Sequence, residues 1–217
     1  MTADGKIATA NRAVHSFGSA RDLAHLYALR ATADAVMCGA RTVEISRTVL
    51  GNGGEKFGKL RLRRGLAEFP LRVIVSGSGS IEPQAEIFQQ RFSPILVLTT
   101  QKAPAHKLQR LRNLADEVKI CGKSEINFRA ALRWLQKRFG VRRLLGEGGG
   151  ELNDALFRAD LVDEIHLTLC PKIFGGRTAP TIADGEGFPR LAGAKEFQIR
   201  SIQSFQGELF TVLSRKK

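Results

Sequence analysis

Short apolar, β-branched runs alternate with helix-periodic segments along most of the chain, and this alternation restricts the fold more than any other feature. Asp34–Cys38, Leu71–Ser76, Pro94–Thr100, Glu117–Cys121, Arg142–Leu145 and Val162–Cys170 read as strands. Residues 19–33 read as a helix that Ser19 can cap. Ala105–Leu114 places Leu108, Leu111 and Leu114 three apart, and Leu152–Arg158 is a further helix. Phe128, Ala131, Leu132, Leu135 and Phe139 mark one face of another helix, which Gly140 stops. Repeated strand–helix–strand units predict an α/β fold with a mostly parallel central sheet. At the end of the chain, Glu196–Phe205 and Glu208–Ser214 flank Gln206-Gly207 and predict an antiparallel hairpin. The one long irregular stretch, 47–70, is rich in Gly and Arg and reads as a functional or mobile loop. Nothing resembles a linker, so residues 1–217 are expected to form a single domain.

Apolar residues make up 43% of the chain and charged residues 25%, which excludes a disordered or collagen-like polymer. No apolar run approaches the ~20 residues of a bilayer span, and no apolar block opens the chain, so a cytoplasmic protein without membrane contact is expected. Cys38, Cys121 and Cys170 stand far apart behind apolar runs and read as buried free thiols. His15, His25, His106 and His166 lack metal-ligand spacing, so no metal site is expected.

The charge is lopsided: 34 Lys and Arg against 21 Asp and Glu, net +13. One basic cluster comprises Lys56, Lys59, Arg61, Arg63, Arg64 and Arg72. The other comprises Arg129, Arg133, Lys137, Arg138, Arg142 and Arg143. Such a surplus points to anionic partners. A nucleic acid is the disfavoured one, because a single Tyr and a single Trp leave only phenylalanines for base stacking.

The strongest local signal is the run from Arg142 through Gly146-Glu147-Gly148-Gly149-Gly150-Glu151 to Asn153, a strand entering a glycine turn and then a helix. Such a turn can cradle a phosphate on helix N–H groups, or serve only as a tight connection. It is neither a GxGxxG fingerprint, since Glu151 occupies the last glycine position, nor a P-loop. Glu147 would sit at the C-terminal end of a parallel strand, where α/β sheets bind ligands, or be a solvated turn residue.

Several segments taken in order resemble one family: Asp4-Gly5-Lys6-Ile7-Ala8, Asp22-Leu23, Leu29-Arg30-Ala31, Asp34 to Val43, Glu147-Gly148-Gly149, and Leu161 to Glu164 with Pro171 and Gly175. The chain is similar to the reductase domain of the riboflavin-biosynthesis deaminase–reductase and to stand-alone pyrimidine reductases. The resemblance covers residues 1 to about 180. It implies a three-layer fold like that of dihydrofolate reductase, NADPH as cofactor, a ribosylamino-pyrimidine 5′-phosphate as substrate, and a homodimer. It also implies cofactor contacts at Thr42, Ser76, Gly148, Gly149, Gly150, Glu151, Leu152 and Asn153, and substrate contacts at Arg30 and Glu147; it names no catalytic side chain. The deaminase half's HxE and PCxxC motifs are absent, so a reductase alone is expected.

Three features depart from that family's pattern. Ser46 stands where an acidic residue is usual, Gly53 falls where a phosphate-holding arginine is expected, and Met1 lies almost at the Asp-Gly motif, as though a first strand were truncated. The loop that carries Lys56, Lys59, Arg61, Arg63 and Arg64 is therefore expected to close over the substrate phosphate, one or two of these charges replacing the missing contact, or else to be a mobile, solvated basic loop. The alternatives are a reductase of another small substrate on this fold, or a non-catalytic homologue that binds nucleic acid or another anion.

Overall fold

The computed structural model describes residues 1–12 and 17–216; His15 lies outside them. The chain divides into two compact units, one of residues 24–148 and one of residues 1–23 with 149–217.

Helix α1 (Ala20–Arg30) leads from the second of these units into the first. The 24–148 unit then runs β1 (Ala35–Gly39), α2 (Ala40–Ser46), α3 (Glu55–Arg63), β2 (Leu71–Val75), α4 (Glu86–Gln89), β3 (Ile95–Thr99), α5 (Ala105–Leu114), β4 (Glu117–Ile120), α6 (Phe128–Phe139) and β5 (Leu144–Gly146). The five strands form an all-parallel sheet in the order β4-β3-β2-β1-β5, with Met37 beside both Val73 and Gly146. Every residue of β3 is buried, which accounts for its unbroken apolar run. Val36, Cys38, Ile74, Ile95 and Val97 join Val43, Leu50, Ile87 and Leu111 in one core. Met37, Val73, Leu96 and Leu98, of opposite parity, are equally buried. Helix α6 buries Phe128, Ala131 and Leu135. The Asn127 side chain caps its start, and Gly140 ends it at φ 70°.

The stretch 47–70 is not an irregular loop, because α3 occupies its middle. Two arginines of the first basic cluster are not surface charges. Arg61 is 1% exposed and donates to the carbonyls of Arg30, Ala33 and Ala67. Arg72, in β2, is fully buried, donates to the carbonyls of Ile87, Gln90 and Ser93, and lies over the Phe92 ring. Burial holds the Arg72 guanidinium at a pKa of about 10, with the Arg91 charge adding to the shift.

In the other unit, α7 (Gly150–Arg158), β6 (Glu164–Leu169), a short 3₁₀ turn (Leu191–Gly193), β7 (Phe197–Phe205) and β8 (Glu208–Arg215) follow. Their sheet is antiparallel in the order β6-β8-β7. The hairpin turn has both Gln206 and Gly207 at positive φ, as a type I′ turn requires. At the start of the chain, Thr2 bridges Cys170 and the Asp4 carboxylate accepts from the Thr2 hydroxyl and from the N–H groups of Phe174 and Gly175. These bonds hold the Asp4 carboxyl below its ordinary pKa, the Thr2 bond most. All three cysteines are free and buried. Among the described residues, no helix is long and apolar enough to cross a membrane, and no group of three or more His, Cys, Asp and Glu could hold a metal ion.

Candidate active site

The 24–148 unit has one topological switch point. From β1 the chain adds β2, β3 and β4 successively on one side, then returns to place β5 on the other. In parallel sheets, ligands bind in the crevice at the C-terminal ends of the strands where this reversal occurs. At that end the Glu147 N–H continues the ladder to the Met37 carbonyl, and the Gly148 carbonyl accepts from the Gly39 N–H and the Thr42 hydroxyl. Gly148 follows at φ 66°, a conformation that suits glycine.

Arg30, the last residue of α1, reaches this point. Its Nε and Nη2 each donate to one Glu147 oxygen at 2.5 Å, and its Nη1 donates to the Gly51 carbonyl. The two side chains are 8% and 11% exposed. Burial, the largest single influence, lowers the guanidinium's pKa, but the bond to Glu147 and the charge of that carboxylate together outweigh it and the net shift is upward. Cys38 lies just below on β1, and burial pushes its thiol far up, which keeps it neutral.

Arg30, Thr42, Glu147 and Gly148, all named by the resemblance, are thus brought together at the switch point. Ser76 stands at the end of β2, where its hydroxyl is spent on the Ser80 carbonyl in the turn that follows. Gly53 leaves no space for the family's arginine: a side-chain carbon there would stand 2.2 Å from the Tyr27 ring. Of the basic side chains expected to hold the substrate phosphate, one is shown to be taken up elsewhere. Arg61 is inside, Lys59 pairs with Glu55 along α3, and Lys56 lies by the Phe57 ring.

The second half of the glycine run belongs to the other unit. Gly149, at φ 91°, is the N-cap of α7 and offers no side-chain acceptor. A helix's first-turn amides lack intrahelical partners, so this end presents donors and the positive end of a dipole to an anion. Gly150 is small for a packing reason: a Cβ would stand 2.7 Å from Asp184 Oδ2 and 2.8 Å from the Thr181 carbonyl. Leu152 is buried, Glu151 is exposed, and the Asn153 side chain donates to the Ile182 carbonyl. Of these residues, the geometry offers backbone rather than side-chain groups. Asp4 is the site-motif residue to which the sequence attached no role, and it anchors the segment at Phe174-Gly175.

Comparison with known proteins covers nearly the whole chain. The RibD C-terminal domain family model matches residues 1–210. The 2,5-diamino-6-ribosylamino-4(3H)-pyrimidinone 5′-phosphate reductase of Archaeoglobus fulgidus is 34% identical over 98% of this chain and 93% of its own. The Methanothermobacter thermautotrophicus protein of the same name is 31% identical, over 92% and 88%. Among solved structures, a pyrimidine reductase-like protein of Corynebacterium diphtheriae matches with a TM-score of 0.83 at 21% identity, over all of this chain and 89% of that one. Acinetobacter baumannii RibD matches with a TM-score of 0.77 at 20% identity, and this chain spans 55% of it.

Proposed function

Because the chain belongs to the RibD C-terminal domain family, whose members include pyrimidine reductases of riboflavin biosynthesis, we propose that it reduces the ribosyl chain of a phosphorylated ribosylaminopyrimidine to ribityl with NADPH. The observation that carries this reading is the Arg30–Glu147 fork at the switch point, joined through Gly148 to Thr42. When bound, the nicotinamide supplies the hydride that C1′ of the ring-opened ribose accepts. The residues present suit such a cofactor. In the 24–148 unit Gly148 holds a backbone conformation that favours glycine; in the other unit Gly149 does so too, and the uncapped start of α7 presents amides that suit a pyrophosphate. Thr42 holds the Gly148 carbonyl, while the Ser76 hydroxyl is engaged by the Ser80 carbonyl in the turn after β2.

Glu147 is the substrate-contacting group in this reading. Each of its oxygens uses one lone pair on Arg30 and keeps another for an N–H or O–H of the substrate. Arg30, with Nε, Nη1 and Nη2 all engaged, orients that carboxylate. The surplus of Lys and Arg supports NADPH over NADH, since a 2′-phosphate gains charge-assisted bonds that a hydroxyl does not.

Two substrates fit the reading, the 5-amino-6-(5-phosphoribosylamino)uracil type and the diamino-pyrimidinone named for the archaeal relatives; the second is favoured by the 34% and 31% matches. Steady-state oxidation of NADPH with each compound tests both. Turnover of one identifies the substrate, and turnover of neither refutes the reading.

We further propose a homodimer built on the antiparallel sheet. Register places Ile199, Leu213 and Ile165 side by side on one face, with Ile202 and Leu167 in the next row. Ile199 is 63% and Ile202 56% exposed, an apolar strip of the kind that subunit contacts cover.

A further inference from the structure

Arg61 is 1% exposed, yet each hydrogen bond described for its side chain ends on a carbonyl. Its Nη1 donates to Arg30 O at 2.5 Å and Ala33 O at 2.6 Å, and its Nε to Ala67 O at 2.8 Å. Arg30 O belongs to the last residue of α1, where the dipole favours a cation; its other described donor is the Ala33 N–H at 3.3 Å, a longer bond than that from Arg61. Arg61 thus closes the end of α1 from a helix about thirty residues further along the chain. The residue whose carbonyl it holds is the same residue whose guanidinium grips Glu147. Arg30 is therefore bracketed, with its backbone fixed by Arg61 and its side chain fixed by Glu147 and Gly51.

We propose that Arg61 is a positioning residue of the site, setting through Arg30 where the Glu147 carboxylate stands. The inference rests on the reading of Glu147 as the substrate-contacting group. It has a built-in control. Arg72 is equally buried, also spans three carbonyls, and makes no hydrogen bond described to Arg30 or Glu147. A purely structural role for buried arginines would make the two equivalent.

The test compares Arg61→Met, Arg61→Lys and Arg72→Met in the full chain. One readout, independent of activity, is hydrogen exchange of the Arg30 Nε–H by NMR. The others are NADPH affinity and kcat and KM for the pyrimidine substrate. Arg61→Met should accelerate Nε–H exchange and lower kcat/KM about ten- to a hundredfold, chiefly through substrate KM, because small displacements at a positioned group act on this scale. NADPH affinity should hold. Arg61→Lys, which keeps a cation and can reach a carbonyl, should recover part of both losses, and it carries the test if the Met variant does not fold. Arg72→Met should unfold more easily while leaving exchange and kcat/KM within about threefold, the scale of a loss with no tenfold factor in it. Unchanged Nε–H exchange in Arg61→Met, or equal effects from Arg72→Met, would overturn the proposal. If the wild-type protein turns over no pyrimidine, the functional reading fails, and the exchange measurement still decides whether Arg61 fixes Arg30.

Discussion

Arg30→Met separates a buried, desolvated ion pair from a decorative one. In the native protein the fork consists of two 2.5 Å bonds between side chains 8% and 11% exposed. Removing the guanidinium leaves the Glu147 carboxylate and the Gly51 carbonyl without their donors. Breaking one half of a buried pair in this way costs about 3–5 kcal/mol. An exposed pair such as Lys59–Glu55, whose side chains are 63% and 79% exposed, is worth about 0.3–0.5 kcal/mol. For a chain of this size the larger loss corresponds to a fall in Tm of about 6–20 °C. Trp134, the chain's single tryptophan, sits on α6 in the same unit, so urea unfolding followed by its fluorescence reports on the affected core. The double variant Arg30→Met/Glu147→Gln should recover about 0.5–3 kcal/mol of the loss, because it no longer leaves an unpaired charge. Lys59→Met is the matched control and should move stability little. A loss below about 1 kcal/mol for Arg30→Met, or strict additivity with Glu147→Gln, would show that the pair behaves as a solvated one and would remove the argument that it holds the site.

Gly149→Asp should abolish NADPH binding, measured by fluorescence titration, while Gly149→Ala shares the strain of φ 91° and keeps more affinity; equal losses would show that strain rather than charge is responsible. Glu208 is pulled upward by burial, but the Ser19 hydroxyl and N–H, each bonded to one of its oxygens, hold its pKa below the ordinary glutamate value. Its contribution to stability is therefore complete above the unfolded pKa and disappears as pH falls through the depressed folded value. Glu208→Gln should flatten the acid side of the stability profile in that window, and an unchanged profile would refute the assignment. Ile199→Arg/Ile202→Arg should convert a dimer to a monomer by light scattering, and a wild-type mass near 24 kDa at all concentrations would refute the dimer itself.

The sequence made the parallel sheet legible for a physical reason: β1, β2 and β3 are buried on both faces, so each is a nearly unbroken apolar run. Helix α3 was not legible, because its buried positions are Gly58 and Arg61 rather than aliphatic residues. A guanidinium that buries itself on carbonyls looks in sequence like surface charge, and for that reason Arg61 and Arg72 entered a basic cluster they do not belong to. Arg30 and Glu147 lie 117 residues apart, so no periodicity connects them. The resemblance named both residues, but only the fold reveals that they grip each other.

The glycine run shows the same limit at the scale of three residues. In sequence, Gly148, Gly149 and Gly150 are one feature with one apparent cause. In the structure they have two. Gly148 and Gly149 adopt positive φ, where a side chain strains the backbone whatever space surrounds it. Gly150 is helical, and the space a side chain would take is filled by the Asp184 carboxylate and the Thr181 carbonyl, while Asn153 ties α7 to the 181–184 turn through the Ile182 carbonyl. A methyl group at 150 therefore acts on packing within one unit, by roughly the 1–3 kcal/mol of an overpacked site. The same methyl at 149 acts on the conformation of the turn that would meet the pyrophosphate. If Gly150→Ala destabilises while retaining NADPH affinity, and Gly149→Asp loses affinity while retaining the fold, the run is a packing device fused to a binding one. A loss of affinity from both in equal measure would mean that the whole run acts as a single rigid turn.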